Sequence, residues 1–136
     1  MIPRYRAYDG GSLCRMYSPE EVMVGNDDIW IIDEDGVAGE WIVNNDLVLM
    51  QSTGLRDKNG KEIFEGDILS IETDEENVKV EVSWDSKHAL FVFESKKYNE
   101  KEALGELFED NSYPFKIIGN VWEDGELLDG ENTEEN

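Results

Sequence analysis

The clearest period in the chain runs from Val78 to Trp84, where Val78, Val80, Val82 and Trp84 alternate with Lys79, Glu81 and Ser83. Successive side chains of a strand point to opposite faces, so this spacing predicts a half-buried strand with one apolar and one wet face. Asp85-Ser86-Lys87 turns the chain, and His88 to Phe93 returns as the partner strand. At the N-terminal end Arg4 to Tyr8 also alternates polar with aromatic residues. Asp9-Gly10-Gly11-Ser12 then reverses the chain and Leu13 to Tyr17 comes back, the pattern of a second hairpin. Ser18-Pro19-Glu20-Glu21 has the form of a helix start, with a capping Ser, Pro at the first helical position and Glu at the third. Gly25-Asn26-Asp27-Asp28 limits that helix to about one turn.

Ile29 to Ile32 is a short apolar run closed by Asp33-Glu34-Asp35-Gly36, and Glu40 to Val43 and Asp46 to Met50 read as strands separated by Asn44-Asn45. From Tyr98 to Asn111 the period lengthens: Asn99 can cap, Glu102 stands three residues on, and Ala103, Leu104, Leu107 and Phe108 share a face, which predicts the one short helix. Pro114 to Trp122 supplies a last strand, with Gly119 inside it as a bulge or a point of close backbone approach.

Between the two halves lies Met50 to Ser70, MQSTGLRDKNGKEIFEGDILS, where turn chemistry is densest. Asn59-Gly60 is a strong hairpin signal, because both residues tolerate the positive φ of a type I′ turn. Gly66 marks a second reversal, Asp67 can accept hydrogen bonds from the turn's own amides, and Ile68, Leu69 and Ile71 open the next strand. Many short strands separated by closely spaced turns predict a mainly β fold, a short-stranded barrel or sandwich, and not a layered α/β fold. The expected division is an N-terminal strand-rich subdomain over 1–50, a β-barrel core domain over 51–122 and an acidic C-terminal tail over 123–136.

The same stretch carries a resemblance. Met50-Gln51, Thr53-Gly54-Leu55, Asp57-Lys58-Asn59-Gly60-Lys61-Glu62-Ile63-Phe64 and Glu65-Gly66-Asp67-Ile68 together resemble the signature of the YopX family of bacteriophage and prophage proteins. Pro3 to Asp9 is similar to the family's opening "FRAWD", Met16-Tyr17 follows it, and Ile118-Gly119-Asn120-Val121-Trp122-Glu123 is similar to its closing "IGNIYEN". Arg56 stands where Lys is usual, Phe64 where Tyr is usual, and Asp124-Gly125 interrupts the closing motif. The resemblance implies an SH3-like barrel, a phage or prophage origin and no established activity. It marks Thr53, Gly54, Leu55, Asp57, Asn59, Gly60, Ile63, Glu65, Gly66, Asp67, Ile118, Gly119 and Asn120 as signature positions with a structural role.

Charge narrows the functional classes. The formal net charge is −21, which opposes the phosphate-neutralising surface that direct nucleic-acid binding needs. Seven acidic residues and no Lys or Arg occur from Glu123 onward, a composition that predicts disorder in the last residues. The larger share of the acidity therefore belongs to the folded part. No apolar run approaches the roughly 20 residues of a membrane span, and the N-terminus lacks a signal peptide's apolar core, so a cytoplasmic protein of the bacterial host is expected.

Candidate chemistry is sparse. Cys14 is the single cysteine and His88 the single histidine, so a Cys-His nucleophile pair requires those two to meet, and a zinc site of the usual Cys/His kind lacks ligands. The plainer reading puts Cys14 in a strand facing the core and His88 at a hairpin edge. Setting Gly60 at the sixth position of a calcium loop places Leu55 first and Gly66 twelfth, where oxygen ligands are needed, and Asp33 to Gly36 fails in the same way with Ile31 first. Neither a phosphate-binding loop nor a dinucleotide glycine fingerprint occurs, no cofactor is indicated, and 33 acidic residues single out no catalytic pair. Trp30, Trp41, Trp84 and Trp122 are the aromatics whose exposure would mark an interaction surface. The expectation is an accessory protein, not an enzyme, that binds a host or phage protein, with strand edges that permit self-association. An acidic mimic of nucleic acid that blocks a host DNA-binding protein is the first alternative, and an unrecognised hydrolase the second.

Overall fold

A computed structural model describes residues 3–11, 13–33, 39–109 and 112–128. The protein is mainly β, with short strands and short helical turns. It divides into two compact units, Met1–Ser52 and Thr53–Asn136.

In the first unit β1, Tyr5–Asp9, pairs antiparallel with β2, Arg15–Tyr17. This is the hairpin that the Arg4 to Tyr17 pattern predicts. The helix start at Ser18 is present as a single 3-10 turn, Pro19–Glu21, where the Glu21 carboxylate accepts the Ser18 amide at 3.0 Å. The chain then leaves the helical path. Val22–Gly25 is a strand, β3, whose β-branched Val22 and Val24 suit the pleated sheet, and it pairs with β4, Asp28–Ile32. Asn26 and Asp27, at φ 53° and 65°, form the two-residue connection with both central φ values positive, the pattern of a type I′ hairpin. β5, Trp41–Val43, completes this three-stranded sheet. Asn45 holds the next turn, accepting the Ile29 amide at 2.8 Å and donating to Asp28 at 2.8 Å. β6, Val48–Arg56, then pairs with β1 and continues into the second unit. Ala7, Tyr17, Ile31 and Leu47 are the buried centre.

In the second unit β6 is followed by β7, Glu62–Phe64, and the turn between them is not type I′. Asn59 keeps a negative φ and only Gly60 is positive, at 81°. The Gly60 amide donates to the Asp57 carbonyl at 2.9 Å and the Asp57 amide to the Lys61 carbonyl at 2.9 Å. This is a longer loop, a turn followed by one left-handed glycine. The cause is the Asp57 side chain, whose Oδ1 accepts the amides of Asn59 at 2.9 Å and Lys61 at 2.8 Å and so fixes Asn59 in the ordinary region. Gly60→Val is expected to cost about 1–2 kcal/mol, all of it backbone strain, because a Cβ there meets nothing within 4 Å. Lys58→Ala removes only a part-exposed ion pair to Glu72 at 2.7 Å and should cost less than about 1 kcal/mol. Denaturation midpoints of the two variants that coincide would refute this ordering.

β8, Asp67–Glu72, β9, Asn77–Asp85, and β10, Leu90–Ser95, form an antiparallel meander that realises the period-2 reading. Val80 and Val82 are buried, but Trp84 at the strand's end is 45% exposed and meets the Phe91 ring edge-on at 4.9 Å between centroids. Of the helix expected over Tyr98 to Asn111 only a short middle stretch forms. Asn99 takes φ 52° as a turn residue, Glu100–Ala103 is a strand, β11, paired with β10, and only Leu104–Phe108 is helical, as a 3-10 turn. Leu104 and Leu107, three apart, fall on one face of a 3-10 turn and are both buried. The lateral hydrogen-bonding groups of β10 need a partner, and Glu100, Lys101 and Glu102 make a charged outer strand of the kind that edges favour. β12, Phe115–Asn120, closes the other side, giving the order β11-β10-β9-β8-β12 in a curled, half-barrel sheet. Ile63, Leu69, Val80, Val82, Leu104 and Phe115 fill it.

Gly119 lies at the bulge predicted of it, and what approaches it closely is a side chain and not another stretch of backbone. The register shifts between Ile117 and Gly119, and a Cβ on Gly119 would lie 2.6 Å from Asp124 Oδ2. Residues 123–128, the head of the acidic stretch, are folded, and Leu128 is 3% exposed. The disorder expected of the last residues concerns 129–136, outside the described residues.

Candidate functional site

Two arrangements in the second unit qualify as sites, and the signature positions build the first. Thr53 Oγ1 donates to the Ile63 carbonyl at 2.8 Å and accepts the Leu55 amide at 3.1 Å, across Gly54 at φ 81°. Asp57 is 7% exposed, and besides its two loop amides its Oδ2 accepts the Ile117 amide at 2.9 Å, tying the loop to β12. In the Glu65-Gly66 turn the Gly66 amide donates to Val82 and its carbonyl accepts from Val121, each at 2.8 Å. Asp67, 1% exposed, accepts the Phe64 amide at 2.8 Å, the role that its place behind the turn suggests. Ile118 sits at the bulge. Asn120 Oδ1 accepts the amides of Trp122 at 3.0 Å and Glu123 at 2.9 Å, and its Nδ2 donates to Glu123 Oε1 at 2.8 Å. Apart from Asn120 Nδ2, which bonds the Glu123 carboxylate, these polar atoms bond main-chain groups and close loops; none faces another in a nucleophile, base and orienter arrangement.

Burial by itself would push the Asp57 carboxyl up. The amides of Ile117, Lys61 and Asn59, with the Lys61 charge, outweigh that and hold it below its ordinary value. On the sheet Glu81 stands opposite Glu94. Burial pushes the Glu81 carboxyl up, Lys96 opposes that, and Glu94 adds to it. The His88 imidazole, 2.8 Å from Asp85, holds the Asp85 carboxyl below its ordinary value.

Residues singled out for chemistry are dispersed. Cys14 is exposed at φ 48°, not in the core, because it occupies the hairpin connection and not a strand. His88 lies in the exposed turn beside Asp85, the hairpin position expected of it. Among the described residues no group of three or more His, Cys, Asp or Glu side chains is placed to hold a metal ion, and no helix is long and apolar enough to cross a membrane. Of the four tryptophans, Trp84 and Trp122 are exposed, while Trp30 and Trp41 are half-buried.

The second arrangement is a groove of about 490 Å³ on the sheet face that carries Val78, Val80 and Phe93. Its floor is apolar. Glu75 and Glu76, from the connection between β8 and β9, rim it on one side and Glu100 and Glu102 of β11 on the other, with Tyr98 and Tyr113, each 45% exposed, at its mouth. Lys97 reaches Glu76 at 2.7 Å and stands 5.6 Å from the Tyr98 ring centroid. Glu75, Glu100 and Glu102 have no ion-pair partner among the described residues, since Lys101, on the opposite face of β11, approaches Asp85 at 3.7 Å instead. Sequence reasoning missed this site. The alternation Glu100, Lys101, Glu102, Ala103 is its only signal, and the apolar spacing after it favours a helix.

Comparison with known proteins agrees with the architecture. The crystal structure of protein EF1440 from Enterococcus faecalis is similar at 26% identity, with 94% of this chain and 99% of that one covered and a TM-score of 0.60. The X-ray structure of protein yopX from Bacillus subtilis is similar in fold at 21% identity, with 92% and 97% covered and a TM-score of 0.60. No curated protein matches the chain. The model of the YopX protein family matches residues 4–129. With the signature residues placed where they knit the loops of the second unit, and the match running over nearly all of the sequence, the chain belongs to the YopX protein family.

Proposed function

We propose that this YopX family member is a phage or prophage accessory protein that acts by binding another protein through the groove of its second unit, and not by catalysis. The observation that carries the reading is the open apolar floor of Val78 and Phe93 between two acidic rims. A water-exposed apolar concavity with a few placed polar groups is what a recognition site requires, and among the described residues the carboxylates around it form no group placed to hold a metal ion. Two tyrosines at the mouth supply large contact area at low cost in side-chain entropy.

The test is affinity capture from host lysate with the parent chain and with Tyr98→Ala/Tyr113→Ala as parallel baits. Both side chains are substantially exposed, so the double variant should fold as the parent does. A reproducible partner that the parent retains and the variant loses is the expected result. A partner held equally by both baits would overturn the groove as the binding site.

A further inference from the structure

The groove is chemically lopsided in a way that specifies its occupant. Its floor is apolar, its rims carry four carboxylates, and three of these, Glu75, Glu100 and Glu102, have no cation beside them among the described residues. Glu100 and Glu102 are two apart on one strand and so share a face, opposite Ser95 and Phe93 of β10. Residues two apart on a strand are separated by about 6.8 Å. An extended polypeptide laid alongside β11 has the same repeat, so its alternate residues stay in step with these carboxylates; a helix advances about 5.4 Å per turn and does not. From β11 to β8 the sheet spans three strand intervals, roughly 14 Å, which is room for one extended chain, and the repeat along β11 is what favours it over a helix.

We propose that the groove takes an extended segment of a partner protein in which basic residues alternate with apolar ones, the apolar residues turned down onto Val78 and Phe93 and the long basic side chains, on the segment's other face, reaching sideways to the rim carboxylates of Glu100, Glu102 and Glu75. The inference rests on the binding role proposed for the groove. The chain contains a small version of the same contact: the Lys97 ammonium is held at one end of the groove by Glu76, beside the Tyr98 ring, a carboxylate and an aromatic face acting on one cation. With a net charge of −21, the protein would also draw a basic segment in from a distance, with a salt-dependent rate.

The experiment is fluorescence anisotropy at about 0.15 M salt, where general attraction is screened beyond roughly 8 Å. It uses the full chain and three labelled ten-residue peptides: lysine alternating with leucine, the same composition rearranged to a helical period, and glutamate alternating with leucine. The alternating lysine peptide is expected to bind about tenfold more tightly than the rearranged one, and the glutamate peptide not at all. Glu100→Gln/Glu102→Gln should weaken the lysine peptide by about tenfold, the loss of two ion pairs, whereas Glu40→Gln/Asp46→Asn, which removes two exposed charges from the first unit, should change it by less than about twofold. Equal affinity for the two lysine peptides, or equal effects of the two double variants, overturns the proposal. If the Tyr98→Ala/Tyr113→Ala bait loses its partner while Glu100→Gln/Glu102→Gln binds the alternating peptide as the parent does, the groove remains a binding site and only its proposed occupant falls.

Discussion

Asp57→Ala is expected to destabilise the second unit by about 3 kcal/mol, read as a lower denaturant midpoint at an unchanged slope. The carboxylate accepts three backbone amides, from Asn59, Lys61 and Ile117, and alanine leaves all three donors without that partner. Each orphaned donor costs on the order of 1–3 kcal/mol when buried, less where water can enter. Asp57→Asn should fall between parent and alanine, at about 1–2 kcal/mol, because an amide keeps one acceptor oxygen but turns an NH₂ toward a donor. The pH dependence has a definite sign. The folded-state pKa lies below its ordinary value, so the carboxylate's contribution is complete above the unfolded-state value and is lost as pH falls through the folded one. The gap between parent and Asp57→Ala should therefore be widest near neutrality and close in strong acid. A gap that stays constant down to acid unfolding would show that the loss was packing and not the ionised carboxylate's hydrogen bonds.

Gly119→Ala is expected to cost about 2–3 kcal/mol, the usual penalty for an added methyl in a site with no room for it. The new Cβ would sit 2.6 Å from Oδ2, 2.8 Å from Cγ and 2.9 Å from Cβ of Asp124. Rotating the carboxylate away does not relieve the last of these, so the backbone near Asp124 must shift and the bond from the Asn120 amide to Asp124 Oδ2, 3.1 Å, weakens. Asp124→Gly removes every atom in the clash. In a double-mutant cycle the two substitutions should therefore couple by more than about 1 kcal/mol, the pair being more stable than the sum of the singles. Strict additivity would place the cost of Gly119→Ala somewhere other than this contact.

How much the sequence discloses depends on how local the cause is. The Val78 to Trp84 alternation, the Arg4 to Tyr17 hairpin and the single turn after Ser18 each arise from residues within a few positions of one another, and each is present in the structure. Gly119 is legible as a glycine with a reason. Asn59-Gly60 reads correctly as a reversal and wrongly as type I′, because the deciding group is the neighbouring Asp57 side chain, which bonds Asn59 and Lys61. The segment from Tyr98 misleads through a real ambiguity. Ala103, Leu104, Leu107 and Phe108 do share a helical spacing, yet the unpaired side of β10 takes Glu100–Ala103 as a strand, a tertiary demand that no local pattern encodes. The groove is hidden for that reason, since its Glu100 and Glu102 rim exists only once β11 is a strand.

The hydrogen bond from the Ile117 amide to Asp57 joins residues 60 apart in sequence. Closing a flexible loop of that length costs about 3.6 kcal/mol of chain entropy, whereas the meander of β8, β9 and β10 is assembled from neighbours. Local pairing therefore favours a route that begins in the meander, and the clasp between the β6 to β7 loop and β12 is expected to fasten after the rate-limiting barrier. In kinetic terms Asp57 is then a latch: Asp57→Ala is expected to leave the folding rate nearly unchanged and to raise the unfolding rate, which chevron plots of parent and variant read directly.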